Sequence, residues 1–269
     1  MTTDASKYKK LSHREHILQL PDTYVGSIET HEEWRWVLDS ATGKMAHRKV
    51  QFNPGFYKLF DELVVNARDA RIRSLEKGTP IKSIDLCVKE VDGDLTITVT
   101  NDGDGIPIEK NTEHNVWVPE MSFGHLLTSG NYDKEEEKIV GGKNGYGAKL
   151  TNIFSKAFTL TVVSPKHEKK YVQKWTANMS QVGVPSVTAS KAKGGSVSVA
   201  YVPDLSRFPG LVLEDMMSVL ETRALELAAL CGKEVKVSWN GVVAAANTFE
   251  KFVKLFLRDS GGLVYESCG

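Results

Sequence analysis

The residues most obviously equipped for chemistry form one run, Gly141-Gly142-Lys143-Asn144-Gly145-Tyr146-Gly147-Ala148-Lys149. Four glycines in seven residues let the backbone reach positive φ and let a ligand approach main-chain N–H groups. The closing lysine adds a point charge suited to phosphate. Residues 150–157 read as helix, so the loop feeds a helix N-terminus, where anions are favoured. A second group, Glu62, Asn66 and Asp69, stands at i, i+4 and i+7 and so shares one helix face. A third, Asn101-Asp102-Gly103-Asp104-Gly105-Ile106-Pro107, ends a strand, where α/β sheets commonly hold ligands. Each group also has an ordinary reading, as a glycine-rich surface loop, a solvated polar helix face and a tight turn.

Spacing excludes two common phosphate loops. The P-loop requires a glycine, four residues, then Gly-Lys-[Ser/Thr]. From Gly142 the chain gives Gly147-Ala148-Lys149-Leu150, with the lysine one place late. The dinucleotide fingerprint fails as well, because Gly145-x-Gly147 is followed by Ala148-Lys149-Leu150.

The elements that must position these groups are legible in part. Ser12 and Glu15 form a capping box for a short helix over 12–18, which Pro21 ends. Tyr24–Ile28 reads as the start of a strand, Trp34–Leu38 as another, 39–49 as a hairpin loop and Val50–Phe52 as its return. Residues 54 to about 76 form the clearest helix, with Pro54 at its start, Gly78 past its end and an apolar stripe through Phe56, Leu59, Phe60, Leu63, Val64 and Ala67. Ile84–Val88 and Leu95–Val99 alternate around an Asp92-Gly93 turn and predict a hairpin. Phe123–Leu127 reads as a short helix inside a long polar stretch, 111–149, of the kind that forms lids. Strands are expected at Phe158–Val163, Lys170–Trp175 and Ser196–Val202. A helix follows over Leu213–Leu230, capped by Gly232. Val235–Trp239 before Asn240-Gly241 predicts a late hairpin, and Phe249–Leu257 a last amphipathic helix.

Composition bounds the rest. The 269 residues suffice for a real core. Thirty-four basic and thirty-four acidic residues create no global field toward DNA or membrane. Cys87, Cys231 and Cys268 form no CxxC and no paired framework, which points to a reducing compartment. The polar, basic N-terminus has no apolar signal core, and no apolar run is long enough to span a bilayer, so no membrane partner is expected.

A helix carrying Glu-x-x-x-Asn-x-x-Asp, a strand ending in Gly-x-Gly and a glycine-rich loop entering a helix together resemble the GHKL family. That family includes type II topoisomerases, the mismatch-repair clamp, a large heat-shock chaperone and histidine kinases. Glu15-His16-Ile17-Leu18, Pro21 through Ser27, Phe60 through Ala67, Leu126 through Ser129, Gly141 through Ser155 and Pro203 through Ser206 are most similar to the eukaryotic-type topoisomerase II branch. The resemblance covers nearly the whole chain.

It implies an α/β (α+β) two-layer sandwich, the GHKL or Bergerat fold, with a mixed, mostly antiparallel sheet covered by helices on one face. It implies ATP and Mg²⁺ as cofactors, with Glu62 as general base toward the γ-phosphate, Asn66 as metal ligand and Asp69 in support. Asn101 matches the adenine contact, with Ile106 close by. Ser129, Gly130 and Asn131 match residues near the ribose and phosphates. Gly142, Lys143, Asn144, Gly145, Tyr146, Gly147, Ala148 and Lys149 match the phosphate lid. Residues 1–25 would form an N-terminal arm and first helix used in dimer exchange, and Tyr8 falls in the arm, read as residues 1–10, that in the family crosses to the partner's nucleotide in an ATP-dependent homodimer. The ATPase domain would run over 26–262, and 263–269 would begin the connection to a transducer domain whose lysine reaches the γ-phosphate. The chain would then be a fragment that binds ATP but hydrolyses it poorly. Double-stranded DNA is the expected partner of the whole enzyme, and the nucleus the expected location, with an organellar form the alternative. A nucleotide-switched clamp of chaperone or mismatch-repair type is the alternative function. Three departures stand out: Ala70 where relatives carry Asn or Glu, Leu20 for a common Arg, and Val197 where a Thr reaches the base, leaving Ser196 or Ser198 to substitute only by a register change.

Overall fold

A computed structural model describes residues 11–126 and 146–257. The chain opens with α1 (His13–Gln19) and α2 (Asp22–Val25), then the hairpin β1 (His31–Asp39) and β2 (Lys44–Phe52). The long α3 (Pro54–Glu76) leads to β3 (Ser83–Val91) and β4 (Asp94–Gly103), followed by α4 (Val118–Gly124) and α5 (Gly147–Ile153). Next come β5 (Ser155–Ser164), β6 (Lys169–Thr176), the short β7 (Gln181–Val182) and β8 (Ser186–Ala189), and β9 (Gly195–Pro203). The remainder is α6 (Leu213–Cys231), β10 (Lys236–Trp239), β11 (Val242–Val243) and α7 (Phe249–Phe256).

Nine strands make one sheet in the order β11-β10-β3-β4-β9-β5-β6-β7, with β8 also on β6. The β10–β3 pair is parallel and the others are antiparallel. Cross-strand register puts Ile84 beside Asn101, Asn101 beside Val197, and Val197 beside Val162. Alternation along each strand then gathers Leu86, Val99, Val199 and Leu160 on the same face, all buried. The other face carries Thr100, Ser198 and Thr161, with Thr100 and Ser198 hydrogen-bonded through their hydroxyls at 2.7 Å. Among the described residues the helices cover the apolar face, giving the expected two-layer, mostly antiparallel sandwich.

Helix α3 forms the centre of the covering layer. Asn53 caps it by accepting the Phe56 N–H at 2.9 Å, and Pro54 occupies the first turn. Leu59, Phe60 and Val64 are fully buried, each contributing on the order of 1.5–3 kcal/mol of apolar transfer. The Asp92-Gly93 and Asn240-Gly241 turns have positive φ throughout (53° and 79°, 50° and 84°), the geometry a two-residue hairpin needs.

Several boundaries differ from expectation. Residues 22–25 are a single helical turn, because Pro21 sets a helical φ and the turn lets Val25 reach the core. The β1–β2 hairpin is longer than expected and turns within 40–43. Helix α4 spans Val118–Gly124, where Pro119 sits in its first turn, and a Cβ on Gly124 would meet the Trp175 ring at 2.8 Å. Helix α5 begins at Gly147 and ends at Ile153, so β5 starts earlier than Phe158. Beyond its turn to β11, β10 continues the sheet in parallel beside β3.

Candidate functional site

A cleft of about 470 Å³ opens between α3, the β4 end and the first turn of α5. That volume lies in the range of roughly 300–1,000 Å³ usual for small-molecule sites. One wall is a stripe of α3 and its C-terminal cap, with Glu62, Asn66, Asp69, Ala70, Arg73 and Lys77 in succession. Asn101, Asp102, Asp104, Gly105 and Ile106 come from β4 and its turn, Val197 and Val199 from β9, and Gly147, Ala148 and Lys149 from α5.

Each polar group has a defined setting. Glu62 Oε1 accepts an ion-pair contact from Lys58 Nζ at 2.6 Å, one helical turn back. Its Oε2 lies where a Cβ on Gly147 would be, so only glycine at that position leaves the carboxylate in place. The same absent Cβ would stand 3.9 Å from Asn66 Nδ2, which puts the loop–helix junction against both side chains. Asp69 is 1% exposed, with Arg68 Nη1 at 3.5 Å. Asn101 is buried on the helix-covered face of the sheet and donates one amide hydrogen to the Asp102 carbonyl at 2.8 Å. Asp102 Oδ1 is occupied by the N–H groups of Lys82 and Ser83 (2.8 and 3.0 Å), and Asp104 Oδ2 by the Thr79 hydroxyl at 2.7 Å. These two carboxylates brace the turn.

The turn needs its glycines. Gly105 has φ +75°, and a Cβ there would stand 2.6 Å from the Val163 carbonyl oxygen. Lys149 is 3% exposed, and loss of hydration lowers its ammonium pKa to about 8. Helix α5 is pinned to α3 by the Thr151 hydroxyl, which donates to the Leu59 carbonyl at 2.9 Å.

The structure thus brings Glu62, Asn66, Asp69, Asn101, Ile106, Gly147, Ala148 and Lys149 around one cleft. Tyr146 is adjacent, with its ring packed on His13 and Tyr24. Tyr8, Ser129, Gly130, Asn131, Gly142, Lys143, Asn144 and Gly145 lie outside the described residues. Val197 presents its side chain to the cleft, while Ser198 is held on the opposite face by Thr100, so the register change that would deliver a serine hydroxyl does not occur. Lys58, Arg73 and Lys77 were not anticipated. Lys58 was readable as an i, i+4 partner of Glu62, and the other two as continuations of its helical stripe.

A family model described as histidine kinase-, DNA gyrase B-, and HSP90-like ATPase matches residues 53–204. The chain belongs to this ATPase family. The match begins at the α3 cap and ends at Asp204, whose carboxylate accepts from Ser206, Arg207 and Asn178. Among named relatives, DNA topoisomerase 2 of Candida glabrata is 42% identical over 257 residues, covering 95% of this chain and 18% of that protein. DNA topoisomerase 2 of Pisum sativum is 43% identical over 253 residues, covering 93% and 17%. The chain spans less than a fifth of the length of these relatives. Among solved structures, the ATPase region of Saccharomyces cerevisiae topoisomerase II superposes with a TM-score of 0.87 at 42% identity, covering 93% of this chain and 65% of that one. The ATPase and transducer domains of the Balamuthia mandrillaris enzyme give 0.88 at 38% identity, covering 95% and 64%. The fold is therefore that of the topoisomerase II ATPase region.

Members of this ATPase family bind nucleotide, and the residues present fit one. Apolar Ile81, Ile106, Val99 and Val199 offer a surface for a base beside the Asn101 amide. The missing Gly147 Cβ leaves room beside Glu62, and Lys149 supplies a cation. Among the described residues no group of three or more His, Cys, Asp or Glu could hold a metal ion. The Asn66 amide oxygen on the cleft wall is a hard donor, the kind Mg²⁺ takes. No helix among the described residues is long and apolar enough to cross a membrane.

Proposed function

We propose that this chain is the nucleotide-hydrolysing part of a DNA topoisomerase II, and that nucleotide binding closes a dimeric gate around a DNA duplex. The reading is carried by the packing of the loop–helix junction against Glu62, which sets phosphate-binding backbone beside the one cleft carboxylate suited to act on water.

Glu62 is the general base. Lys58 engages Oε1, which leaves Oε2 on the Gly147 side to accept a proton from an attacking water. Asn66 is the protein ligand of Mg²⁺ through its amide oxygen, and Asp69 supports it from the same face. Bound Mg²⁺·ATP supplies the phosphoanhydride bond and the cation that offsets its charge. Lys149 and the N–H groups at the start of α5 hold phosphate, and burial strengthens that attraction because little water competes. Asn101 reads the adenine edge. Ser129, Gly130, Asn131 and 142–145 complete the ribose and phosphate contacts, and Tyr8 in the arm (1–10) reaches the partner's site in the homodimer. The ATPase domain covers 26–262, with 263–269 leading toward a transducer. The whole enzyme acts on double-stranded DNA in the nucleus.

Glu62→Ala tests the assignment in a protein extended through the region its relatives carry. Retained ATP binding with turnover lost supports the base. Unchanged turnover overturns it, and turnover that is negligible in the wild type while ATP still binds favours a nucleotide-switched clamp.

A further inference from the structure

Helix α5 carries Gly147 and Lys149 into the cleft, yet among the described residues no side chain caps its N-terminus. The residue at its cap position, Tyr146, is held instead from α1. The Tyr146 hydroxyl lies 3.2 Å from His13 Nε2, and the two rings meet edge to face at 5.4 Å and 81°. Tyr24 packs on Tyr146 at 5.9 Å and is itself fixed by a 3.0 Å hydrogen bond between its hydroxyl and His16 Nδ1. The other end of α5 is tied to the same helix: Arg14 Nη1 donates to the Asn178 carbonyl at 3.2 Å, and Asn178 Nδ2 donates to the Ile153 carbonyl at 3.0 Å. Helix α1 is rigid enough to act as an anchor, with a complete capping box between Ser12 and Glu15 and Ile17 fully buried.

We infer that α1 is a brace that fixes both ends of α5, with His13 the positioning residue that holds the Gly147 backbone against Glu62 through Tyr146. Gly147 directly follows Tyr146 and lies within van der Waals reach of the Glu62 carboxylate, so rotation of the Tyr146 backbone moves α5's first turn relative to that carboxylate. The effect on nucleotide rests on the function proposed above; the brace does not.

Hydrogen exchange on the ligand-free protein reads the brace directly. His13→Ala is expected to speed exchange at the amides of 150–153, the first of which donates to the Tyr146 carbonyl at 2.9 Å, about three- to tenfold, the span of one net hydrogen bond, with β3 and β4 unchanged. Tyr146→Phe is expected to do the same, and the double variant no more than either alone. His13→Gln, which keeps a polar atom at similar reach, should restore protection to within about twofold. In a second arm, affinity for a non-hydrolysable ATP analogue with Mg²⁺ should weaken in His13→Ala and recover in His13→Gln. Unchanged exchange at 150–153, or additive effects of the two variants, overturns the brace. If the wild type binds no nucleotide, the function above fails while the exchange result still decides the brace.

Discussion

Replacing Gly147 by Ala separates stability from chemistry at this site. A first-turn Gly→Ala change ordinarily gains up to about 1 kcal/mol, because alanine loses less backbone freedom on folding. Here the new Cβ would overlap Glu62 Oε2. The carboxylate is the free end of a flexible side chain, so it can swing aside at about 0.5–1.5 kcal/mol of rotamer strain. The two effects nearly cancel, and the variant should unfold within about 1 kcal/mol of the wild type. Catalysis has no such compensation. Moving the base by about 1 Å costs on the order of 100-fold in rate, equivalent to roughly 2.7 kcal/mol of barrier. The assay is steady-state phosphate release by the protein extended as its relatives are, beside urea unfolding of the same sample. Wild-type kcat in Gly147→Ala would refute the assignment of Glu62, and so would a rate loss matched by an equal loss of stability.

Three further outcomes are expected. Asn101→Ala should weaken ATP binding about tenfold, the scale of a hydrogen bond lost from a buried amide, with little effect on GTP; titration with both nucleotides checks this. Lys149 has its folded pKa lowered to about 8 from 10.5, so between those values the unfolded chain holds a proton that the folded one has lost. Stability should therefore rise with pH across that window, and the slope should flatten in Lys149→Met, as followed by unfolding at several pH values. Phosphate beside Lys149 would return its proton, so nucleotide binding near pH 8.5 should take up protons, measured by calorimetry in two buffers of different ionisation enthalpy.

Much of this site was legible because its signals are local. The stripe on α3 follows from 3.6-residue periodicity, and the helix ends from Pro54 and Gly78; the Asn53 cap was missed. Asn101 stood out less than it should have: its polarity is unusual only once Ile84 and Val197 are known to flank it, and register between distant strands leaves no mark in a single sequence. The parallel pairing of β10 with β3 was hidden for the same reason. The turn at 22–25 was misread because Tyr24 and Val25 favour strands, while burial of Val25 decided for helix. The Asp204 network depends on Asn178, which local spacing does not connect to it.

The place of β9 between β4 and β5 has a consequence for synthesis on the ribosome. β4 and β5 both lie on the N-terminal side of β9 in sequence, yet neither is the other's neighbour; each pairs with β9. Until residues 195–203 emerge, the nascent chain carries two open edges bordered by Val99 and Leu160 with nothing between them. Such edges invite pairing with other chains, so this is the interval in which chaperone protection matters most. Insertion of β9 closes both edges in one event and completes the floor of the nucleotide cleft.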